Sequence, residues 1–412
     1  MTRDDFYDPN PDADGPLASL RVLDVSAYGP GPLCGQMLAD LGAEVIKIDL
    51  PGSGDPARDI PPFVSPQEAQ RKEASVWHLT FNRGKKGITL DIRKPEGQAL
   101  FKQLAAKVDV VIESFTPGTL DGWNLGYATL KAVNPALILV SISAFGQFGP
   151  WSSRKGFDPM AQAVAGMMQV TGERGGRPLR SGNATVDHMC AWHGAMGAMG
   201  ALWHRAQSGE GQWVDVALAD VTLYSSDLHL MGAANAGYET TRLGNATDSG
   251  APFNTYLSRD GRWVFINAAL DAHWTRLCQV MNRSDLLETP LSYAQRCQRW
   301  EEVDAWVAAW AGERFAADLL TTLDAAGITC GPVASFEDIL AEPHYRARDT
   351  VTQMHDPDFG PLTTYGPCPK FSVSPARIRA SAPRMGQHNA QVYGELGLDE
   401  AALDVLKGGG VV

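Results

Sequence analysis

Residues 20–48 read LRVLDVSAYGPGPLCGQMLADLGAEVIKI, and this stretch decides the fold. It opens on a short apolar run, 20–25, which reads as a buried strand. The run ends at a Gly/Pro turn over 28–32. A helix is expected over 33–41, and the second apolar run, 44–48, is expected to be another strand. The order strand, helix, strand points to a parallel sheet, because only a crossover can return the second strand beside the first. The alternation continues with a strand at 87–91, a helix at 95–107 that has Pro95 in its first turn, a strand at 109–113, a helix at 127–133 and a strand at 138–142. Together these describe a doubly wound α/β layout.

Downstream, a helix of small and apolar residues is expected over 157–172. A turn at 172–178 and a loop at 180–186 lead into a long small-residue helix that starts near Asp187. A strand at 213–218 and a helix at 221–236 follow. Composition then shifts: Gly, Asn, Thr and Ser gather at 240–256, the mark of a linker or flexible loop. Beyond it, 253–256, a turn at 259–261 and 263–268 predict a β-hairpin. Helices rich in Trp, Leu and Ala fill 273–326, a further helix covers 336–341, and 350–376 alternates and carries prolines. The expected organisation is a flexible N-terminus over 1–16, a large domain from 17–238 and 340–412, and a smaller α+β middle domain over 239–339.

Composition narrows the function. With 412 residues the chain exceeds one ordinary core, so two domains are the natural expectation. A hydrophobic share of 44% with 20% charged residues is globular rather than disordered. A formal net charge of −12 argues against non-specific nucleic-acid binding, although local cations can still hold an anionic ligand. The six cysteines, at 34, 190, 278, 297, 330 and 368, form no CxxC pair, so neither a zinc site nor a disulfide framework is suggested. Residues 1–15 are rich in Asp and Pro and resemble neither a signal peptide nor an anchor. The softest stretch, 189–203, is interrupted by His193 and glycines and is too short to span a bilayer. A cytoplasmic protein without metal, membrane or nucleic-acid partners is expected.

Three features could carry chemistry. The turn from Tyr28 to Pro32 follows the first strand, where a dinucleotide fold would have its phosphate loop. It is not GxGxxG, and its prolines remove N–H donors, so a plain strand-to-helix turn is the simpler reading. Arg83, Lys85, Lys86, Arg93 and Lys94 set five cations within thirteen residues; they form either a phosphate grip or a solvated charged face. Asp187 opens a helix full of Gly and Ala. It is either a helix cap or a nucleophile beside a backbone that a bulky ligand can approach closely. His188 and His193 do not share a helix face and read as packed or locally bonded. No GxSxG elbow or Walker loop occurs.

Taken together, several segments resemble the class III CoA-transferases, the CaiB/BaiF family, which includes formyl-CoA and crotonobetainyl-CoA:carnitine CoA-transferases. They are 20–25 with GPGP, LADLGAEVIKIDLPGSGD at 38–55, NRGKKGITLD at 82–91, DVVIESFTPG at 109–118, RKGFDPMAQAVAGMMQVT at 154–171, and the segments 135–146, 182–202, 209–215, 331–333 and 386–398. The resemblance runs in order from about residue 17 to the C-terminus. It implies a Rossmann-like large domain made of the N- and C-terminal parts, a smaller middle domain, and an interlocked homodimer.

By resemblance Asp187 is the covalent nucleophile, coenzyme A enters as acyl-CoA, and a small carboxylic acid is the acceptor. Tyr28, Leu90, Arg93, Ser114, Phe115 and Lys155 occupy positions that line CoA in relatives. Relatives carry cations where this chain has Leu50 and Gly122, which makes Arg58, Arg83, Lys85 and Lys86 the candidate replacements. The four-glycine lid of some relatives is absent, and 244–252 is the comparable region. Trp123, His188, Trp192 and Met231 are candidates to shape the acyl pocket, or else core packing. The rival branch, acyl-CoA racemase, uses a Gly-His-Asp segment; this chain reads Gly156-Phe157-Asp158, and Phe157 takes no proton. Two further rivals are a CoA-binding protein without turnover and a nicotinamide dehydrogenase.

Overall fold

The computed structural model describes residues 3–7, 13–64, 73–247 and 249–412. The expected flexible N-terminus over 1–16 therefore lies in part outside the described residues. The chain divides into two units. One comprises Met1–Met167, Ser181–Leu230 and Pro343–Val412, and the other Met168–Arg180 and Met231–Glu342.

The larger unit is built on a six-stranded sheet of β1 (Arg21–Asp24), β2 (Glu44–Asp49), β3 (Lys86–Thr89), β4 (Val110–Glu113), β5 (Ile138–Ser143) and β6 (Trp213–Ala217). Its order is β3-β2-β1-β4-β5-β6, and all pairings are parallel. The order reverses between β1 and β4, which creates the crevice where open α/β sheets bind ligands at the carboxyl ends of their strands. The mixed α/β fold with a parallel sheet agrees with the reading of the sequence.

Strands buried on both faces must be apolar on both, which explains the near-continuous Val, Ile and Leu runs. One face packs on α1 (Pro30–Asp40) and α4 (Thr185–Ser208), with Leu33, Leu38, Val186, Ala191 and Ala198 in the shared core. The small residues of α4 follow from close approach. A Cβ at Gly194 would stand 3.0 Å from Cys34 Sγ, and one at Gly197 would stand 2.6 Å from Val214 Cγ1. The other face packs on α2 (Pro95–Ala105) and on the C-terminal helices, through Phe101, Leu104, Val392 and Tyr393. Tyr393 Oη donates to the Thr89 carbonyl at 2.6 Å, which ties the tail to β3.

Two expected helices are broken. The 157–172 segment forms α3 (Asp158–Val164) and a separate turn of helix at Met167–Val170, because Gly166 takes φ 89° between them. The 221–236 segment forms α5 (Leu218–Tyr224) and α6 (Leu228–Ala236), parted at Asp227 with φ 47°. Periodicity carries no signal for a one-residue left-handed break. The GPGP stretch is not a turn ahead of a helix but the first turn of α1, where Pro at N1 fits because that N–H has no partner to lose.

The smaller unit holds the antiparallel sheet β7 (Phe253–Leu257), β8 (Trp263–Asn267) and β9 (Thr329–Pro332), packed on helices through Trp274, Leu277, Val307 and Leu319. The predicted hairpin is β7–β8; β9, not assigned from sequence, completes the sheet. Among the described residues no helix is long and apolar enough to cross a membrane.

Candidate active site

The crevice at the carboxyl ends of β1, β2, β3 and β4 is a cleft of about 360 Å³. Val25, Ser26 and Ala27 wall it after β1, Lys47 to Leu50 at the end of β2, Leu90 to Arg93 after β3, and Phe115 after β4. Ser53, Gly54, Asp55 and Asp59 close one side, and Trp123 meets Phe115 edge-on at 5.3 Å. Ser114 does not line the cleft but braces it, since its Oγ accepts from the Ala27 N–H at 3.1 Å.

The cations behave differently from either sequence reading. Lys85 pairs with Asp24 at 2.7 Å, Arg83 with Asp40 at 2.7 Å, Arg58 with Asp49 at 2.6 Å and Lys86 with Glu44 at 2.5 Å. Arg58, Arg83 and Lys85 are buried, and none of the four lines the cleft. The proposed replacements for the missing cations at Leu50 and Gly122 are thus corrected to internal partners. Carboxylates buried on β1, β2 and α1 need counter-charges, and leaving one alone would be strongly destabilising. Arg93 is the exception. It is clamped by Asp91 at 2.7 and 2.8 Å, with its side chain 55% exposed at the cleft.

Asp187 is the third residue of α4 and does not cap it. The cap comes from a distance: Asp158 Oδ2 accepts from the N–H groups of Val186 at 2.7 Å and Asp187 at 3.1 Å. Asp158 is itself gripped by Gln162 Nε2 at 2.5 Å, and Gln162 also holds Ser181. The Asp187 side chain is therefore released from structural duty. It is half-buried, and no donor among the described residues reaches its carboxylate. Burial, and then the charge of Asp158, push the carboxyl up to about 7.

Gly29, at the start of α1, lies against this carboxylate: a Cβ there would stand 2.6 Å from Asp187 Oδ2. One residue separates Gly29 from Ala27 on the cleft wall, so Ala27 to Gly29 bridge cleft and carboxylate. Between them Tyr28 takes φ 66° and is 55% exposed. Its N–H donates to Asp55 Oδ1 at 3.1 Å, and its carbonyl accepts from Trp77 Nε1 at 3.0 Å.

Of the six CoA positions read from resemblance, Leu90, Arg93 and Phe115 line the cleft, and Ser114 and Tyr28 flank it. Lys155 is exposed and absent from the lining. Trp123 belongs to the cleft. His188 donates Nδ1–H to the Ala184 carbonyl at 2.9 Å and packs edge-on against Phe81. Trp192 is 56% exposed next to His188, and Met231 belongs to the other unit. Phe157 is 67% exposed and provides no base for racemisation. The nearby thiols are inert, because burial pushes Cys34 up to about 12 and raises Cys190 as well. Gly29 and Asp158 escape a reading of the sequence, since both act through contacts distant along the chain. The only local hint is Asp158 standing before Pro159.

Asp158→Ala is expected to leave the Val186 and Asp187 N–H groups without an acceptor, lowering stability by about 1–3 kcal/mol. Asp158→Asn keeps one acceptor oxygen and is expected to lose less. Thermal melts of the two variants check the order.

This sequence and this fold recur in known proteins. The family model for CoA-transferase family III matches residues 17–389. A succinyl-CoA–D-citramalate CoA-transferase of Chloroflexus aurantiacus is 37% identical over 95% of this chain and 97% of its own. A succinate–glutarate CoA-transferase of Agrobacterium fabrum is 33% identical over 94% of this chain and 97% of its own. The crystal structure of a CAIB/BAIF family protein from Brucella suis superposes with a TM-score of 0.83 at 33% identity, covering 93% of this chain and all of the other.

Proposed function

We propose, since the chain belongs to CoA-transferase family III, that Asp187 is the carboxylate through which it works. Moving CoA from an acyl-CoA to a carboxylic acid is its reaction. In this reading CoA lies in the cleft at the ends of β1 to β4, with Arg93 facing its phosphates, and the thioester reaches Asp187 past Ala27 to Gly29. The Asp187 carboxylate attacks the thioester carbonyl and expels CoA thiolate, leaving a mixed anhydride. The thiolate attacks the Asp187 carbonyl of that anhydride and releases the donor acid, which leaves an aspartyl-CoA thioester. The acceptor carboxylate attacks this thioester and frees thiolate again. The thiolate then takes the acceptor acyl group and restores the Asp187 carboxylate. No proton is consumed, and a hard transfer becomes several nearly balanced displacements.

The observation that carries this reading is the Asp187 carboxylate itself, half-buried, without a hydrogen-bond donor among the described residues, and relieved of capping by Asp158. A carboxylate so poorly solvated is a better nucleophile than one in water. The donors for its oxyanions come from α1 rather than α4, because the Val186 and Asp187 N–H groups are already spent on Asp158. Pro30 and Pro32 have no N–H, so Gly29 and Gly31 carry the N–H groups left at the start of α1 for that role. The donor we assign is succinyl-CoA and the acceptor a dicarboxylic acid of similar size, on the support of the two CoA-transferases named above.

The test is incubation with succinyl-CoA followed by hydroxylamine and peptide mass spectrometry. A hydroxamate on Asp187 is expected, and a panel including succinate, glutarate and citramalate is expected to give new thioesters. Label on any other residue, or none with any acyl-CoA, removes the reading.

Because the nucleophile is the ionised form, acyl-enzyme formation should rise about tenfold per pH unit below 7 and level off above it. Asp158→Asn deletes the like charge, so its inflection should move to lower pH. Rapid-quench rates across pH check both.

The homodimer is also proposed. Trp192, Met196, Met199 and Trp203 are 41–71% exposed and recur at i, i+4, i+7 and i+11 on one stripe of α4, with Tyr224 of α5 83% exposed. So much apolar surface argues for a protein partner, and by resemblance that partner is a second, interlocked copy. Light scattering is expected to give twice the mass of one chain, and Trp203→Glu should weaken the assembly. A reducing cytoplasm suits the six cysteines, all of them free.

A further inference from the structure

On the far side of the cleft wall, three side chains stand in one row across the sheet. Glu113 on β4 is in register with Ser141 on β5, which is in register with Asp215 on β6. Register partners in a parallel sheet point to the same face, so two carboxyls flank one hydroxyl. Glu113 is 4% exposed and ends the strand from which Ser114 and Phe115 emerge. Its Oε2 accepts the Phe115 N–H at 2.7 Å, and its carboxyl hydrogen-bonds Ser141. The Ser141 hydroxyl in turn accepts from Trp213 Nε1 at 2.8 Å. Two charged groups face Glu113, Asp215 from β6 and Asp121 from the helical turn Thr119–Gly122. No cation among the described residues stands opposite it, and Glu113, Asp121, Ser141, Gln147 and Trp213 share a void of about 10 Å³.

We propose that Glu113 is a positioning residue for CoA: in its protonated form it holds the loop that carries Ser114 and Phe115, so CoA binding is linked to a proton on a side chain that does not touch the ligand. The inference rests on reading the cleft as the CoA site. Phe115 is the wall contacted by Trp123, and Ser114 fastens the opposite wall through Ala27, so the 114–118 loop sets the cleft width. A neutral Glu113 accepts the Phe115 N–H beside two carboxylates without repulsion. An ionised one is repelled by both from a site water barely reaches, and the loop is the part that can yield. Burial first, with Asp215 and Asp121 adding to it, pushes the Glu113 carboxyl up to about 7 against the pull of Ser141 and the Phe115 N–H, so the change falls near neutrality. A bound ligand that needs the wall in place will favour the protonated form.

The experiment is titration calorimetry of CoA itself, without turnover, on the whole protein from about pH 6 to about pH 8.5. CoA should bind roughly 3–10-fold more weakly at the upper end, as half to one pKa unit of linkage implies. Glu113→Gln, neutral at all pH and still an acceptor for Phe115, should bind like the low-pH protein and lose that part of the dependence. In turnover the same variant should shift the pH profile of KM rather than that of kcat. Asp215→Asn removes a like charge without touching the loop. Glu113 then ionises more readily, so the inflection in CoA affinity should move to lower pH. Parallel profiles for wild type, Glu113→Gln and Asp215→Asn overturn the proposal and leave the transferase reading standing. No CoA binding at any pH overturns both.

Discussion

Asp187→Asn is expected to lower the rate of CoA transfer by about four to six orders of magnitude, the scale on which removing a covalent nucleophile acts in other enzymes. The amide is nearly isosteric, so packing against Gly29 and the Asp158 cap should survive. CoA affinity should be unchanged, because no cleft residue is altered. Stability should respond with a definite sign. The folded carboxyl is raised from 3.8 to about 7. Below about pH 4 both folded and unfolded chains hold the proton, and nothing is lost. Between about pH 4 and 7 the unfolded chain releases it first, so folding is increasingly opposed, and above 7 the penalty is constant, at most about 4 kcal/mol. Asparagine removes it. The variant should therefore melt higher than wild type at about pH 8 and equally at about pH 4. Transfer within tenfold of wild type, with no pH-dependent gain in stability, would exclude Asp187 as the nucleophile.

Local rules carry the parallel sheet because each strand states its burial on its own. The runs at 20–25, 44–48, 109–113 and 138–142 are apolar on both faces, and they form β1, β2, β4 and β5 within two residues at each end. The helix breaks at Gly166 and Asp227 are not legible, since a single left-handed residue leaves the apolar spacing intact. The cation cluster misleads for a different reason. Charge pattern reports where cations are along the chain, but not the carboxylates of β1, β2 and α1 that consume them. On local grounds Asp187 stays open between cap and nucleophile. The structure removes the cap reading, because Asp158 takes over the cap across 29 residues of sequence.

Gly29→Ala is the second large effect expected, a loss of about two to three orders of magnitude in transfer rate. A left-handed backbone is not the reason for glycine here: Gly29 has φ −110°, and it is Tyr28 that takes the left-handed conformation. The requirement is contact. A methyl at 29 would stand 2.6 Å from Asp187 Oδ2, 3.2 Å from Cγ and 3.6 Å from Cβ. The first is closer than real Cβ atoms approach and the second is tighter than nearly all of them, and the carboxylate can give way only by turning its side chain. Since the cap on Asp158 fixes the backbone of α4, the helix is expected to hold its position while the Asp187 carboxylate loses its aim. Binding and chemistry should therefore separate. The Kd for CoA should stay within about twofold, because Val25 to Ala27, Leu90 to Arg93 and Phe115 are untouched, while hydroxylamine trapping on Asp187 collapses. Gly408→Ala is the matched control, a glycine with open space around it, and should be silent in both assays. If Gly29→Ala instead weakens CoA binding and leaves trapping intact, the close approach of α1 serves the cofactor rather than the nucleophile, and the oxyanion role given to its first turn must go with it.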